Sequence, residues 1–206
     1  DIWETASHSE QFLAEGWLNP LLNKIGNGEE LIKGIVLGEN AFGPFRGATN
    51  DVLVMNNPKQ FLRKKTKLET YKKVEGFDRE NLNHILKVEN SITHAIEEIR
   101  SKSKTVKLPS LTSLPKDKIG GSVKTLMTII AAGHLVPIYK ISISGFDTHT
   151  EQANKHQRLC KVLDDTFESL YQGLNHLGVW DRSLIMTYSE FGRRVKENGS
   201  RGTDHG

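Results

Sequence analysis

The sequence has little cysteine and no long apolar run. Cys160 is its only cysteine, which excludes an intrachain disulfide. Because Cys160 lies beside Leu159 and Val162 in a helix-like pattern, it is predicted to be a buried, unreactive thiol. The most apolar stretch, Leu126 to Ala132, is far shorter than the roughly 20 residues that span a bilayer. We therefore expect no transmembrane segment.

A strong charge bias is also lacking. The 206 residues carry a net charge of +3, with 36% apolar and 26% charged residues, which is ordinary for a soluble globular protein. Lys59 to Lys73 is rich in basic residues, as in nucleic-acid-binding proteins. Glu69, Glu75 and Asp78 stand close to it, so a solvated basic face is the preferred interpretation. No nucleic-acid partner is predicted.

The length suits a single α/β domain spanning residues 1–206. The chain opens on Asp1 and stops at Gly206, directly after a polar Gly-Thr-Asp-His-Gly run. We therefore expect it to be the central part of a longer protein, cut at both ends. Ile2, Trp3 and Trp17 are large apolar groups and are expected to pack against the core.

The first half of the chain mixes helical and β-like patterns. Ser9 to Ile25 resembles a short helix, and Gly34 to Leu37 and Val52 to Met55 are short apolar runs typical of strands. A long helix is predicted from Asp78 through Ile99, with apolar residues mostly three and four apart. Ser101 to Lys118 is polar, contains two prolines and is predicted to be a loop.

The second half alternates helix and strand. Helices are predicted from Ile119 to Ala132 and from Thr150 to Leu177, and strands from Val136 to Ile143 and from Ser183 to Thr187. Two strands joined by a long helix indicate a right-handed parallel crossover, so the two strands are expected to be neighbours. In such sheets ligands bind beyond the carboxyl ends of the strands.

The first polar motif begins at the end of the first of these strands. Asp147 and His149 lie two residues apart in the expected turn, where a carboxylate and an imidazole can face one divalent metal ion. His156, two helical turns farther on, is a candidate additional ligand. The alternative is that Asp147 or Thr148 caps the following helix and the histidines are solvated surface.

The second polar motif follows the next predicted strand. Glu190 leaves that strand, and Arg193 and Arg194 carry guanidinium groups that can bind a phosphate or sulfate oxyanion. Asp204 and His205 lie between glycines, whose backbone can approach an ion closely. The alternative is a surface turn in which Glu190 and the arginines form salt bridges.

Several ordered motifs carry a family resemblance. They are Asp-Ile-Trp-Glu-Thr at the start, Gly-Trp-Leu from Gly16, Gly-Phe-Asp-Thr-His from Gly145, Ser-Glu-Phe-Gly-Arg-Arg from Ser189 and Gly-Thr-Asp-His-Gly from Gly202. On these motifs the chain resembles the DUF1501 family, which is related to the alkaline phosphatase and sulfatase superfamily. The resemblance implies a bacterial, periplasmic or otherwise extracytoplasmic protein. It also implies a three-layer sandwich with a mostly parallel central sheet.

The same resemblance implies a dinuclear metal site. Asp147 and His149 would match its ligand loop, and Asp204 and His205 its Asp-His-Gly element, with Glu190 as the alternative counterpart of that element. Zinc is the metal expected first, and manganese, calcium and magnesium also suit such ligands. Arg193 and Arg194 would bind the substrate.

The function expected from these residues is that of a metal-dependent hydrolase of phosphate or sulfate esters, acting on a small-molecule or glycan ester. The superfamily's nucleophile would lie upstream of this chain, so the chain alone is expected to be inactive. The alternative is a non-catalytic, metal-stabilised extracytoplasmic binding protein of the same fold.

Overall fold

The structure is a computed structural model, which describes residues 2–8, 10–11, 13–22, 24–25, 32–38, 42–48, 52–58, 93–134 and 136–206. The basic segment Lys59 to Lys73 lies outside the described residues, as does most of the helix predicted from Asp78. The side chains of Ile2 and Trp3 also lie outside them, so their predicted packing stays a prediction.

A small parallel sheet forms the centre of the described fold. Its strands are β1 (Gly34–Leu37), β2 (Val52–Met55) and β3 (Ile138–Ile141), in the order β2-β1-β3. Both neighbours of β1 run parallel to it. The two short strands predicted in the first half are confirmed at their bounds, and β3 lies inside the predicted strand Val136 to Ile143. The mixture of helices with a parallel sheet confirms the α/β class.

Besides two short 3-10 helices, Gly43–Phe45 and Trp180–Arg182, five α-helical segments accompany the sheet in the described part of the chain. They are α1 (Ile2–Thr5), α2 (Asn19–Leu22), α3 (residues 93–103), α4 (Lys118–Ala131) and α5 (Gln152–His176). The helices predicted from Ile119 and from Thr150 are confirmed as α4 and α5, within two residues at each end. None of the helices described is both long and apolar enough to cross a membrane.

The start of α4 shows why the local sequence folds in this way. The Asp117 carboxylate accepts hydrogen bonds from the backbone N–H groups of Ile119 and Gly120, at 2.9 and 3.3 Å. This N-cap satisfies donors that the first helical turn leaves without partners. Gly133, with a φ of 84°, follows the other end of α4, where a left-handed residue commonly terminates a helix.

The helix predicted from Ser9 to Ile25 is wrong except for the short α2. Backbone groups in this region bond across to the turn at Gly43–Phe45 instead of forming a helix. Gly16 donates to the Arg46 carbonyl at 2.7 Å, and Leu18 donates to the Pro44 carbonyl at 3.0 Å. A Cβ atom at Gly16 would lie 2.0 Å from the Pro44 oxygen, so this close approach requires glycine.

Both faces of the central strand β1 are buried. Because successive side chains of a strand point to opposite sides, its residues contribute to two separate clusters. Ile35 and Leu37 pack on the side that holds α3, α4 and α5, where their buried apolar partners are Ile99, Val123, Leu126, Met127, Ile129 and Leu174. Val36 packs on the other side with Leu18, Leu22 and Phe45. Trp17 is half-buried against this second cluster, as predicted.

The strand predicted from Ser183 to Thr187 is wrong. These residues form no strand, and the Leu184 and Met186 side chains are 91% and 59% exposed. Of the three large apolar residues in this run, only Ile185 packs against the core. The described neighbour of β3 is β1, so the predicted pairing of β3 with residues 183–187 is also wrong.

The prediction of a buried thiol at Cys160 is wrong as well. Cys160 is exposed on α5, whereas the preceding Leu159 is half-buried. One residue step turns the side chain by about 100° around a helix axis. Cys160 therefore faces solvent although apolar residues are close to it in the sequence.

Replacing Phe45 with alanine is expected to lower the free energy of unfolding by about 3–5 kcal/mol. Its ring is fully buried, and the smaller side chain would leave a cavity beside β1. Urea denaturation of the full-length protein measures the change. Phe42→Ala, in the same turn but 40% exposed, is the matched control and should lose much less. Equal losses in the two variants would contradict the assigned packing.

Candidate functional site

Two segments meet beyond the carboxyl end of β3. The first is the loop of residues 142–151, which leads into α5, and the second is the irregular segment of residues 191–206. The backbone N–H groups of Glu151 and Gln152 donate to the carbonyls of Ser200 and Arg201, at 3.1 and 2.8 Å. The second segment therefore satisfies the donors at the start of α5 and is fixed against the first.

The N-cap of α5 tests one part of the alternative interpretation of the first motif. The cap residue is Glu151, whose side chain makes no capping hydrogen bond. Capping of this helix by Asp147 or Thr148, which was one part of the alternative, is therefore wrong. The other part, in which the histidines lie at the surface, is not contradicted, because His149 and His156 are exposed. Thr148 is buried, and the side chains of Asp147 and His149 contact each other.

Asp147, His149 and His205 form one group. The Asp147 Oδ1 atom lies 2.9 Å from His149 Nε2 and 2.9 Å from His205 Nε2. The two imidazole rings are 4.9 Å apart between centroids. Donor atoms from the three residues all lie within 4.8 Å of one another. The structure thus brings together the two polar motifs, as the sequence predicted, in a set of side chains that suits a divalent metal ion.

Asp204 contacts the opposite side of one of these imidazoles. Its Oδ1 atom lies 3.5 Å from His149 Nδ1, so His149 is placed between two carboxylates. The Asn198 amide donates to the same Asp204 oxygen at 3.1 Å and to the His149 carbonyl at 3.0 Å. The Asn198 side-chain oxygen accepts from the backbone N–H groups of Ser200 and Gly202, at 2.9 and 3.0 Å. Asn198 therefore fixes both Asp204 and the turn beside it.

Arg193 connects the two segments through its guanidinium group. Nη2 donates to the Phe146 carbonyl at 2.7 Å and lies 3.1 Å from Asp147 Oδ1, and Nη1 donates to the Thr203 carbonyl. The Arg193 side chain is only 18% exposed. Arg193 Nε and Thr203 Oγ1 are buried and have no hydrogen-bond partner among the described residues. Polar atoms of this kind commonly contact a water molecule or a ligand.

The charged surroundings keep the two carboxylates ionised. The pKa of Asp147 is lowered, first by its hydrogen bond with His205, then by the charges of His149 and His205 and by Arg193. The pKa of Asp204 is lowered mainly by the hydrogen bond from Asn198, with further contributions from His149 and Arg194. Both groups are therefore in the ionised form that binds a metal ion.

The remaining predicted site residues lie outside this group. Glu190 is exposed and is not one of the three donors, so its role as a ligand stays a prediction. Arg194 is exposed and donates its backbone N–H to the Asp204 carbonyl at 3.0 Å. His156 is exposed and packs edge-on against Phe146 at 5.8 Å between ring centroids.

Two residues of the site were not predicted from the sequence. Asn198 precedes Gly199, and an Asn-Gly pair commonly marks a turn. This pair is the sequence signal that could have indicated the role of Asn198 in the turn. Phe191 stacks on the His205 ring, with centroids 4.0 Å apart and planes inclined by 11°. No local pattern indicates that stack, because it joins residues on opposite sides of the turn.

Of three comparisons with known proteins, one finds a match. Neither the curated proteins nor the solved structures contain a match to the chain. A family model described as "Protein of unknown function (DUF1501)" matches residues 5–206. The match covers nearly the whole chain and both polar motifs, so the chain belongs to the DUF1501 family.

Proposed function

We propose that the chain forms a divalent metal site within a metal-dependent hydrolase of phosphate or sulfate esters. The observation that carries the proposal is the group formed by Asp147, His149 and His205, whose donor atoms lie within 4.8 Å of one another. One carboxylate and two imidazoles form a typical donor set for zinc. Manganese, calcium and magnesium are the other metals compatible with the proposal.

The distances within the group fit such an ion. Zn–N bonds of about 2.0–2.1 Å in a tetrahedral site separate the ligand atoms by roughly 3.3 Å. Each histidine nitrogen lies 2.9 Å from Asp147 Oδ1, so small side-chain movements would be enough. The buried atoms Arg193 Nε and Thr203 Oγ1, which have no hydrogen-bond partner in the described part of the chain, are further polar groups in the residues around the donors.

Asp204 has a distinct place in this proposal. It contacts His149 at Nδ1, while His149 Nε2 faces Asp147. A carboxylate on the second nitrogen of a ligating histidine orients the ring and raises its basicity. Asp204 would support His149 in this way, or bind a second ion on its own side of the imidazole.

The chemistry that a bound divalent ion supplies is polarisation of an ester oxygen and, with a second ion about 3.5–4 Å away, stabilisation of the attacking and leaving oxygens. Asp147 is held ionised for this task by its histidine and arginine partners. The exposed guanidinium of Arg194 is available to pair with a phosphate or sulfate oxygen. The substrate would be a small-molecule or glycan ester.

The proposal extends to the fold and to the cellular location. Packed clusters on both faces of β1 support a three-layer sandwich like that of the alkaline phosphatase and sulfatase superfamily. The relationship to that superfamily is proposed from the resemblance of the Asp147–His149 loop and of Asp204 and His205 to its ligand elements. We propose a periplasmic or otherwise extracytoplasmic location on the same family grounds.

A second candidate is a non-catalytic binding protein in which the metal stabilises the fold. It is favoured by the position of the group, which joins the segment of residues 191–206 to the loop that carries Asp147. A metal ion there would hold the two segments together without any reaction.

Hydrolysis of chromogenic esters distinguishes the two candidates. We expect the full-length, metal-loaded protein to hydrolyse p-nitrophenyl phosphate or p-nitrophenyl sulfate, and the rate to fall to background after chelation. His149→Ala should abolish the activity, and His176→Ala, exposed at the far end of α5, should preserve it. A metal-dependent melting temperature without hydrolysis of either ester would instead favour the binding protein.

A further inference from the structure

Arg193 has a different environment from the neighbouring Arg194. Its side chain is mostly enclosed, and its guanidinium group is bonded to three groups of the protein: the Phe146 and Thr203 carbonyls and the Asp147 carboxylate. Arg194, by contrast, is exposed. A guanidinium with this many internal bonds is poorly available to a substrate, whereas an exposed one is available.

The backbone of Arg193 fixes the second histidine of the group. Arg193 and His205 form an antiparallel bridge, and Gly206 donates to the Gly192 carbonyl at 3.1 Å. Phe191 contacts both side chains: its ring stacks on the His205 ring, and the Arg193 guanidinium lies 4.9 Å from its centroid. Arg193 thus contacts Asp147 through its guanidinium group. It is linked to His205 by the backbone bridge and, through the Phe191 ring, by its side chain.

We propose that Arg193 is a positioning residue that holds Asp147 and His205 against each other, and that Arg194 is the arginine left to bind an oxyanion. This inference rests on the proposed metal site. A planar guanidinium with donors in a fixed fork can reach the Phe146 carbonyl, the Thr203 carbonyl and the carboxylate together. A lysine ammonium is a single point charge on a flexible stem and cannot reproduce that arrangement.

Cobalt titration of the full-length, metal-stripped protein tests the proposal. Wild-type protein is expected to bind one equivalent or more of Co²⁺, with visible absorption bands that report the ligand geometry. Arg193→Met should weaken Co²⁺ binding roughly 10–100-fold, the usual effect of removing a group that orients metal ligands, and should change the bands. Arg182→Met, at an exposed arginine outside the group, is the matched control and should change neither the Co²⁺ affinity nor the bands.

Arg193→Lys separates geometry from charge. Because it keeps the positive charge beside Asp147, a purely electrostatic role predicts wild-type affinity and bands. A positioning role predicts a loss close to that of Arg193→Met. Wild-type behaviour of Arg193→Lys would overturn the proposal, and this milder variant carries the test if Arg193→Met does not fold.

A measurement on the metal-free protein tests the role of Arg193 independently of metal binding. NMR cross-peaks between the Phe191 and His205 rings are expected in wild-type protein and in Arg182→Met, and they should disappear in both Arg193 variants. Cross-peaks that persist in the Arg193 variants would overturn the positioning role. Absence of Co²⁺ binding by wild-type protein, with the ring contact dependent on Arg193, would overturn the metal site and leave Arg193 as the residue that joins the two segments.

Discussion

Replacing Asp147 with alanine in the full-length protein is expected to abolish stoichiometric binding of a divalent metal ion. Both histidine nitrogens of the group lie 2.9 Å from the same Asp147 oxygen, so the substitution removes the atom on which they converge. Loss of an orienting group already costs 10–100-fold in affinity, and loss of a ligand should cost more than about 100-fold. His149→Ala should have the same effect.

Metal content of the purified variants, measured by mass spectrometry, checks this expectation. Asp164→Ala and His176→Ala are matched controls, because both side chains are exposed on α5 and neither belongs to the group. The controls should retain the metal content of the wild type. Unchanged metal in both Asp147→Ala and His149→Ala would remove the assignment of the site.

Local sequence patterns were sufficient to predict the helices and strands whose apolar periodicity and boundary residues indicate the same element. Gly34–Leu37 and Val52–Met55 are short β-rich runs between turn residues, and both form strands at the predicted bounds. The helix Lys118–Ala131 has an aspartate cap before it and a glycine after it. These signals act within a few residues, so they can be recognised without knowledge of the fold.

Strand pairing was not predictable in the same way. The run from Ser183 to Thr187 has the composition of a core strand, but Leu184 and Met186 are exposed and the run has no strand partner among the described residues. The described partner of β3 is Gly34–Leu37, more than a hundred residues earlier. Such pairing depends on distant contacts and burial, which local β-propensity does not encode.

The two polar motifs do meet, but the residues and the cause differ in part from the prediction. Glu190 was expected to lie with Asp147 and His149 more reliably than His205, and in the structure His205 is the residue that joins them. The two motifs were expected to meet because both would leave adjacent parallel strands. In the structure the first motif does follow a strand, whereas the second is held by the bridge between Arg193 and His205 and by the Asn198 turn. Side-chain hydrogen bonds between loops therefore replace the missing strand, and the sequence alone did not indicate them.

Gly202→Ala is expected to abolish stoichiometric metal binding without removing any donor atom. A Cβ atom at position 202 would lie 2.2 Å from both the carbonyl carbon and the oxygen of His149, and 2.7 Å from the Thr150 nitrogen. These are backbone atoms of the loop that leads into α5, and they cannot easily move. The clash must therefore displace the segment that carries Asp204 and His205, which separates His205 from Asp147.

The effect of Gly202→Ala on the fold can be measured in the absence of a bound metal ion. Overpacking of this kind typically costs about 1–3 kcal/mol, so Gly202→Ala should also lower the free energy of unfolding of the metal-free protein in urea. Gly199→Ala is the matched control in the same turn, because a Cβ atom there would meet nothing within 4 Å. It should preserve both stability and metal content. If Gly202→Ala bound metal as the wild type does, the close approach of the two segments would not be what builds the site. If it lost stability but kept the metal, the group would tolerate movement of His205, and the ligand role of that histidine would have to be reassigned.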